Sequence, residues 1–267
     1  MDVASVLRGT GNKLYKYAFP IYWPLYAAYK ACTDRAEREL LKKNLFPGAV
    51  AADVGANIGI YSLFLSRCVG LSGVVHSFEP SPKNFRRLRS ATRKLPNVHV
   101  CQAAVGERSG KTMLYLSDKL NVDHRTYSTA GDARRALQIE LMALDDYFKS
   151  GERVDLIKID IQGYELHALR GAKRILGENP DIKLLLEFWP YGLKQAGAKW
   201  SDLIDMLRGL GMDLMLIGAN GPIPFSARAV RSDVGWYVNL FASRNAGRNS
   251  TGGGFTGTAH AGTELHG

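Results

Sequence analysis

Three carboxylates, Asp53, Glu79 and Asp160, each stand at the end of a short apolar run, and two of those runs lead into a glycine-containing turn. In Ala52-Asp53-Val54-Gly55-Ala56-Asn57-Ile58-Gly59 a strand-like pattern gives way to a helical one across two spaced glycines. Gly55 permits a tight turn, and Gly59 lets the helix backbone come close to a ligand or to the sheet. The free N–H groups of the helix start, with Asn57 in the same loop, then face whatever lies above. A dinucleotide fingerprint needs three glycines as G-x-G-x-x-G, and this loop has two, which argues against a nicotinamide cofactor. Asp53 would also repel a pyrophosphate, whereas it could pair with the ammonium group of an amino-acid-bearing cofactor such as S-adenosyl-L-methionine (AdoMet). A turn that only packs helix on strand is the plain alternative.

The second run, Val74-Val75-His76-Ser77-Phe78-Glu79-Pro80, places Glu79 20 residues beyond Gly59. That matches the ~20-residue offset at which an acid at the end of a second Rossmann-type strand accepts from ribose hydroxyls. Pro80 prevents the strand from continuing. The third run, Val154 to Glu165, carries Asp160 at its end, followed by Leu166, Leu169, Ile175 and Leu176 at helical spacing. Ligands of open parallel sheets bind outside the carboxyl ends of the strands, so Asp53, Glu79 and Asp160 are expected to gather at one crevice.

These segments carry a family resemblance. The D-x-G-A-N-I-G loop from Asp53 to Gly59, F-E-P at Phe78 to Pro80 and K-I-D-I-Q-G-Y-E at Lys158 to Glu165 resemble the FkbM branch of AdoMet-dependent methyltransferases, over roughly residues 40–242. The resemblance implies a Rossmann-like class I methyltransferase of α/β class. Its sheet would be seven-stranded and mostly parallel with helices on both faces, the last strand antiparallel between the fifth and sixth. It further implies Ala103 and Ala104 beside the adenine, AdoMet as methyl donor, and O-methylation of a sugar, glycolipid or polyketide-like hydroxyl. Relatives often carry Glu where this chain has Gln162, so Gln162 is given no acid–base role and its replacement by Glu is expected to change little.

A sugar hydroxyl is a weak nucleophile, so a base or metal should assist it. Asp160 is the favoured participant, with Glu187 and His124 as further catalytic candidates. Glu187 follows Leu184-Leu185-Leu186, where an unpaired carboxylate would be costly, so it should have a hydroxyl, cation or backbone partner. A Mg2+ bridging Asp160 and Glu187 is an option that no spacing rule singles out. Glu165 reads equally as a helix-start carboxylate stabilised by the macrodipole, and His167 as a solvated helix residue. A nicotinamide-dependent oxidoreductase and a non-catalytic nucleoside-binding module are the rival readings.

At 267 residues the chain suits one large α/β domain with extensions. Residues 1–44 form an amino-terminal aromatic and helical extension, 45–244 the domain, and 245–267 a Gly- and Thr-rich tail expected to be disordered, whose His260 and His266 lack metal-site spacing. Cys32, Cys68 and Cys101 are scattered without zinc or disulfide spacing, which suits a reducing cytoplasm. The net charge of +10 is partly concentrated at Lys83, Arg86, Arg87, Arg89, Arg93 and Lys94. Phe85, Leu88, Ala91 and Leu95 form the apolar stripe of the same helix, so a solvated basic face is expected and no nucleic-acid partner. The residues from Leu14 to Lys30 combine aromatics, prolines and lysines; they suit a cover over the site, with peripheral membrane contact as the alternative. The opening residues show no signal peptide, and no span is long enough to cross a bilayer.

The elements that position these residues follow from periodicity. Helices are expected at 34–43, 58–68, 82–94, 164–176 and 200–210, and strands at 49–54, 74–79, 97–104, 182–189, 213–217 and 234–242. Residues 111–116 and 138–141 read as an extra strand pair. The polar stretch 117–135 between them reads as a loop offering His124, Arg125 and Tyr127 to a substrate.

Overall fold

The computed structural model describes residues 12–117, 124–128, 134–218 and 221–244. Its centre is an eight-stranded sheet in the order β10-β9-β11-β8-β7-β1-β2-β3. The strands are β1 (Val50–Val54), β2 (Val74–Phe78), β3 (Val98–Cys101), β7 (Leu156–Ile159), β8 (Lys183–Phe188), β9 (Asp213–Gly218), β10 (Gly221–Pro224) and β11 (Val238–Ser243). Strand β1 pairs in parallel with both β2 and β7, so the direction of winding reverses beside β1. Strand β11 lies antiparallel between β8 and β9, as the family resemblance implies.

The central strands are buried on both faces, which explains their nearly continuous apolar sequences. Alternation then sorts them. Ile157, Ile159, Leu184 and Leu186 face one cluster with Leu166, Leu169 and Leu203, whereas Ala51, Leu156 and Leu185 face another with Leu41 and Leu65. Helices α1 (Phe19–Thr33), α2 (Arg35–Asn44), α3 (Ile60–Val69) and α4 (Pro82–Thr92) precede or interleave with the first strands. A short helix, α5 (Leu144–Tyr147), leads to β7.

Three departures from the expected elements have physical causes. The strand expected at 97–104 divides into β3 and β4 (Ala104–Val105), the latter joining β5 (Gly110–Leu116) and β6 (Arg135–Met142) in a second sheet. The helix expected at 164–176 breaks into α6 (Glu165–Arg170) and α7 (Lys173–Glu178). At that break a Cβ on Gly171 would sit 2.0 Å from the Gly106 carbonyl oxygen, so the chain turns where the small sheet presses against it. Strand β10 is unexpected because Pro222 and Pro224 disfavour strands, but it pairs only with β9 and forms an edge where missing donors are tolerated. The predicted β5–β6 pair is antiparallel and in register from Gly110↔Leu141 to Leu116↔Arg135. The expectation for 245–267 lies outside the described residues.

Gly55 fixes the junction between β1 and β7. Its φ is +80°, and an added Cβ would fall 2.0 Å from the backbone oxygen of Asp160. Gly55→Ala is therefore expected to destabilise the protein by about 2–5 kcal/mol, through left-handed strain plus overpacking, as a lower midpoint in urea denaturation.

Candidate active site

A cavity of about 540 Å³ opens above the carboxyl ends of β1, β2, β7 and β8, beside the point where the winding reverses. Gly55, Asn57, Glu79, Pro80, Ala103, Ala104, His124, Asp160 and Glu187 all line it, so most of the expected site residues are brought together. Its size and its enclosure by apolar side chains with a few polar groups are those of a small-molecule site.

Glu79 is 5% exposed and follows β2 directly. Its Oε2 accepts from the Asn57 backbone N–H at 2.9 Å and its Oε1 from that of Ser81 at 2.8 Å. Asn84 adds a side-chain hydrogen bond, and Tyr15 in turn donates its hydroxyl to Asn84. Burial outweighs these bonds and raises the Glu79 pKa to about 7. Two carboxylate oxygens with one backbone donor each retain lone pairs for hydroxyls at the cavity wall.

Asp53 corrects an expectation. Its side chain is fully buried and does not line the cavity. Oδ2 accepts from Ser62 Oγ at 2.7 Å, and Oδ1 lies 3.4 Å from Lys158 Nζ, an ion pair without hydrogen-bond geometry. The cause is register: Asp53 is paired with Lys158 across parallel strands, so both side chains fall on one face of the sheet. Asp53 therefore reaches the cavity only through Lys158, and a direct bond to a ligand ammonium is not available to it. Gly59 likewise stays out of the lining; its φ of +90° starts α3, and its Cα faces Leu88 of α4.

Lys158 is the residue that sequence reasoning passed over, although a lysine inside Leu-Ile-Lys-Ile signals a buried charge in need of partners. It is 6% exposed, lines the cavity, and holds Asp53 on one side and Asp160 Oδ2, at 3.7 Å, on the other. Burial pulls its pKa down, but the two carboxylates pull harder and the net shift is upward, so it is a cation.

Asp160 and Glu187 occupy the far wall. Asp160 keeps 40% of its side chain exposed, while Glu187 is 8% exposed. Burial first, then the charges of Asp160 and Glu165, push the Glu187 pKa well above the carboxylate range. The Gln162 amide spans the two: Nε2 donates to Glu187 Oε2 at 3.0 Å and approaches Asp160 Oδ1 at 3.4 Å. The place considered for a bridging Mg2+ is thus taken by a neutral donor. Among the described residues no three His, Cys, Asp or Glu side chains gather as a metal site.

Gln162 sits at φ +57°, strained for a non-glycine residue, and its carbonyl accepts from the Tyr127 hydroxyl at 2.7 Å. Tyr127 belongs to 124–128, the described part of the long polar loop, anchored by a backbone bridge between Tyr115 and Arg125. Arg125 stacks on Trp189 at 5.2 Å. In the same segment His124 Nδ1 accepts from the Ser117 N–H at 3.1 Å, leaving Nε2 as the protonated nitrogen. The Nδ1 of His124 is thus engaged with the backbone where the side chain joins the cavity wall.

Glu165 is a helix-start carboxylate: Oε1 accepts from the N–H groups of Ile161 and Gly163, both at 3.1 Å, and the residue does not line the cavity. His167 stacks on Tyr164 at 4.2 Å and meets the Ala196 carbonyl, also away from the cavity.

The amino-terminal helix forms the remaining wall. Tyr22, Tyr26, Tyr29 and Lys30 of α1 line the cavity, and Tyr15 and Tyr22 pack on Ile58 and Ile60 of the glycine loop. The expected cover is present. Asn57 Oδ1 and Thr126 Oγ1, both in the lining, are buried without a hydrogen-bond partner. Orphaned polar atoms on a cavity wall are groups that a ligand would satisfy.

The Gln162 geometry overturns the expectation of a silent Glu replacement. Gln162→Glu removes the amide donor between two carboxyl groups and adds an acid beside Asp160, so a loss of about 1–3 kcal/mol in stability is expected at neutral pH, read from urea denaturation. A midpoint equal to wild type would contradict this assignment.

Several known proteins are similar to this chain. The Methyltransferase FkbM domain matches residues 53–214. "Methyltransferase 1" of Beauveria bassiana (strain ARSEF 2860) is 28% identical over 142 residues, 45% of this chain and 56% of that protein. The 31-O-demethyl-FK506 methyltransferase FkbM of Streptomyces tacrolimicus is 43% identical over 77 residues, 28% of this chain and 29% of that one. The match thus spans less than two thirds of either relative. The crystal structure of Methyltransferase FkbM from Methylobacillus flagellatus KT superposes with a TM-score of 0.47 at 20% identity, covering 74% of this chain and 44% of that one. Because the Methyltransferase FkbM domain covers more than half of its length, including the glycine loop and Glu79, the chain belongs to the FkbM methyltransferase family, whose fold is that of class I AdoMet-dependent enzymes.

Proposed function

We propose that this protein transfers a methyl group from AdoMet to a hydroxyl oxygen of a small molecule, of sugar, glycolipid or polyketide type. The observation that carries this is the convergence of Glu79, Asp160 and Glu187 on one cavity beside the glycine loop. Carboxylates suit a ligand with a sulfonium and an ammonium charge, and Glu79 has acceptor capacity for ribose hydroxyls. The buried, partnerless Asn57 Oδ1 and the small Ala103 and Ala104 leave polar and flat apolar wall for the rest of the nucleoside. The relative from Streptomyces tacrolimicus is named for an O-demethyl substrate, which supports oxygen as the acceptor atom.

When bound, AdoMet supplies an electrophilic methyl group on sulfur. Glu79 would hold the ribose end of the donor, and Asp160, with Lys158 behind it, would face the methionine end. Transfer would form the C–O bond as the C–S bond breaks, and Asp160, the partly exposed carboxylate in the cavity, would accept the proton that the acceptor hydroxyl gives up. The Gln162 amide lies between Asp160 and Glu187, and burial raises the proton affinity of Glu187 above that of an ordinary carboxylate. Tyr26 and Tyr29 exclude water from the cavity, which favours a buried acceptor over hydrolysis.

Asp160→Asn is expected to lower kcat by about 100-fold or more while AdoMet still binds in calorimetric titration, and turnover at the wild-type rate would remove Asp160 from the chemistry. The Glu79 pKa adds a pH test. Glu79 is an anionic acceptor above about 7 and is protonated below it, so AdoMet affinity should fall as pH drops through that value. Glu79→Gln should bind weakly with no such slope. Labelled AdoMet incubated with glycans, glycolipids and polyhydroxylated small molecules identifies the acceptor class; methylation of nitrogen alone would refute the oxygen assignment.

A further inference from the structure

One charged side chain occurs between Phe19 and Thr33, Lys30, and it is turned inward. Its Nζ lies 2.7 Å from Asp34 Oδ2, and it lines the cavity. The outward face of α1 is consequently uncharged. Ile21 and Leu25 are each 58% exposed and Tyr29 is 45% exposed, with Tyr17 at 86% in the preceding turn. Pro20, Pro24 and Ala28 fill the same face. Scattered exposed apolar residues are ordinary, but side chains four apart along a helix form a continuous ridge, and continuous ridges mark contact surfaces.

The inward face is anchored, so the ridge is not the exposed side of a detached segment. Tyr15 meets Tyr22 edge to face, Tyr22 stacks on Tyr26, and Arg87 of α4 covers the rings of Tyr15 and Phe19 at 3.7 and 3.8 Å. Among the described residues no helix is long and apolar enough to cross a membrane. The ridge is therefore suited to lie along an interface.

Charge selects the partner. Beside the amino-terminal end of the ridge, Lys16, Lys83, Arg86 and Arg87 crowd together; burial, then the charges of Arg87, Lys16 and Arg86, hold the Lys83 pKa down. Beside its other end, Ala31 borders a depression formed by Arg35, Arg38, Lys42 and Arg67, with Glu39 held by Arg35 at 2.9 Å. An isologous pairing of two copies would set these cations against themselves. Anionic headgroups complement them, and each Lys or Arg near such a surface strengthens attachment about fivefold.

We propose that the ridge of Tyr17, Ile21, Leu25 and Tyr29 seats this protein on the surface of an anionic phospholipid bilayer, with the flanking cations against the headgroups. Tyr29 belongs both to the ridge and to the cavity lining, so the bilayer lies at the edge of the cavity.

Flotation of the full chain with vesicles tests this directly. Phosphatidylcholine vesicles containing phosphatidylserine should carry at least about tenfold more protein than phosphatidylcholine alone, and the binding should weaken as salt is raised. The double variant Ile21→Glu/Leu25→Glu should reduce attachment by about tenfold or more, with circular dichroism and AdoMet binding unchanged. Lys16→Glu should reduce it several-fold. Absence of the wild-type chain from anionic vesicles overturns the proposal. So does a wild-type dimer, seen by light scattering, that the double variant dissolves, since the ridge would then belong to a second copy.

Discussion

A buried lysine held between two carboxylates organises the centre of this molecule. Lys158 is 6% exposed on a strand whose neighbours are all apolar, and it is tolerable there because Asp53 and Asp160 stand 3.4 and 3.7 Å away. Removing both partners would leave an uncompensated charge in the interior, a loss of the order of 3–5 kcal/mol. The pairing spans β1 and β7, the two strands that meet at the reversal of winding. It draws the glycine loop against the Asp160 backbone so closely that only a residue without Cβ fits at position 55.

That same arrangement sets the electrostatics of the cavity. Asp160 is the acid nearest both to a cation and to solvent, whereas Glu187 and Glu79 are buried and hold protons more readily than free carboxylates. Three like charges in so small a space repel one another if all are ionised. Burial raises the pKa of Glu187 and brings that of Glu79 to about 7, while the Gln162 amide and Lys158 adjoin Asp160. A ligand bearing positive charge relieves the remaining repulsion, which ties the affinity of the site to the charge of its donor.

The amino-terminal helix completes the site from outside the matched family domain, which begins at Asp53. Its inner face makes a wall over the glycine loop, and a relay of hydrogen bonds runs from Tyr15 through Asn84 to Glu79. The cover and Glu79 are therefore mechanically linked. The long polar loop contributes from the opposite side, through His124 and through Tyr127 on the Gln162 carbonyl. Two segments remote in sequence thus confine one cavity.

Strand tips, glycine spacing and the 20-residue step from Gly59 to Glu79 are local properties, and from them the α/β class, the crevice and the acidic part of its lining were legible. Local pattern also signalled the β5–β6 pair, and the family resemblance supplied the place of the last strand, which no periodicity carries. Register and burial decided the rest. Whether Asp53 faces a ligand or Lys158 depends on which residue of a neighbouring strand lies opposite it, and that pairing joins residues 105 positions apart. The raised pKa of Glu187, the Ser117 contact of His124 and the bridging of two acids by Gln162 likewise arise from distances between groups. So does the break at Gly171, forced by a carbonyl from another sheet. Sequence determines which side chains stand at the strand ends because alternation and turn chemistry are short-range; tertiary structure decides their partners and charges because Coulomb energy and desolvation depend on proximity in space.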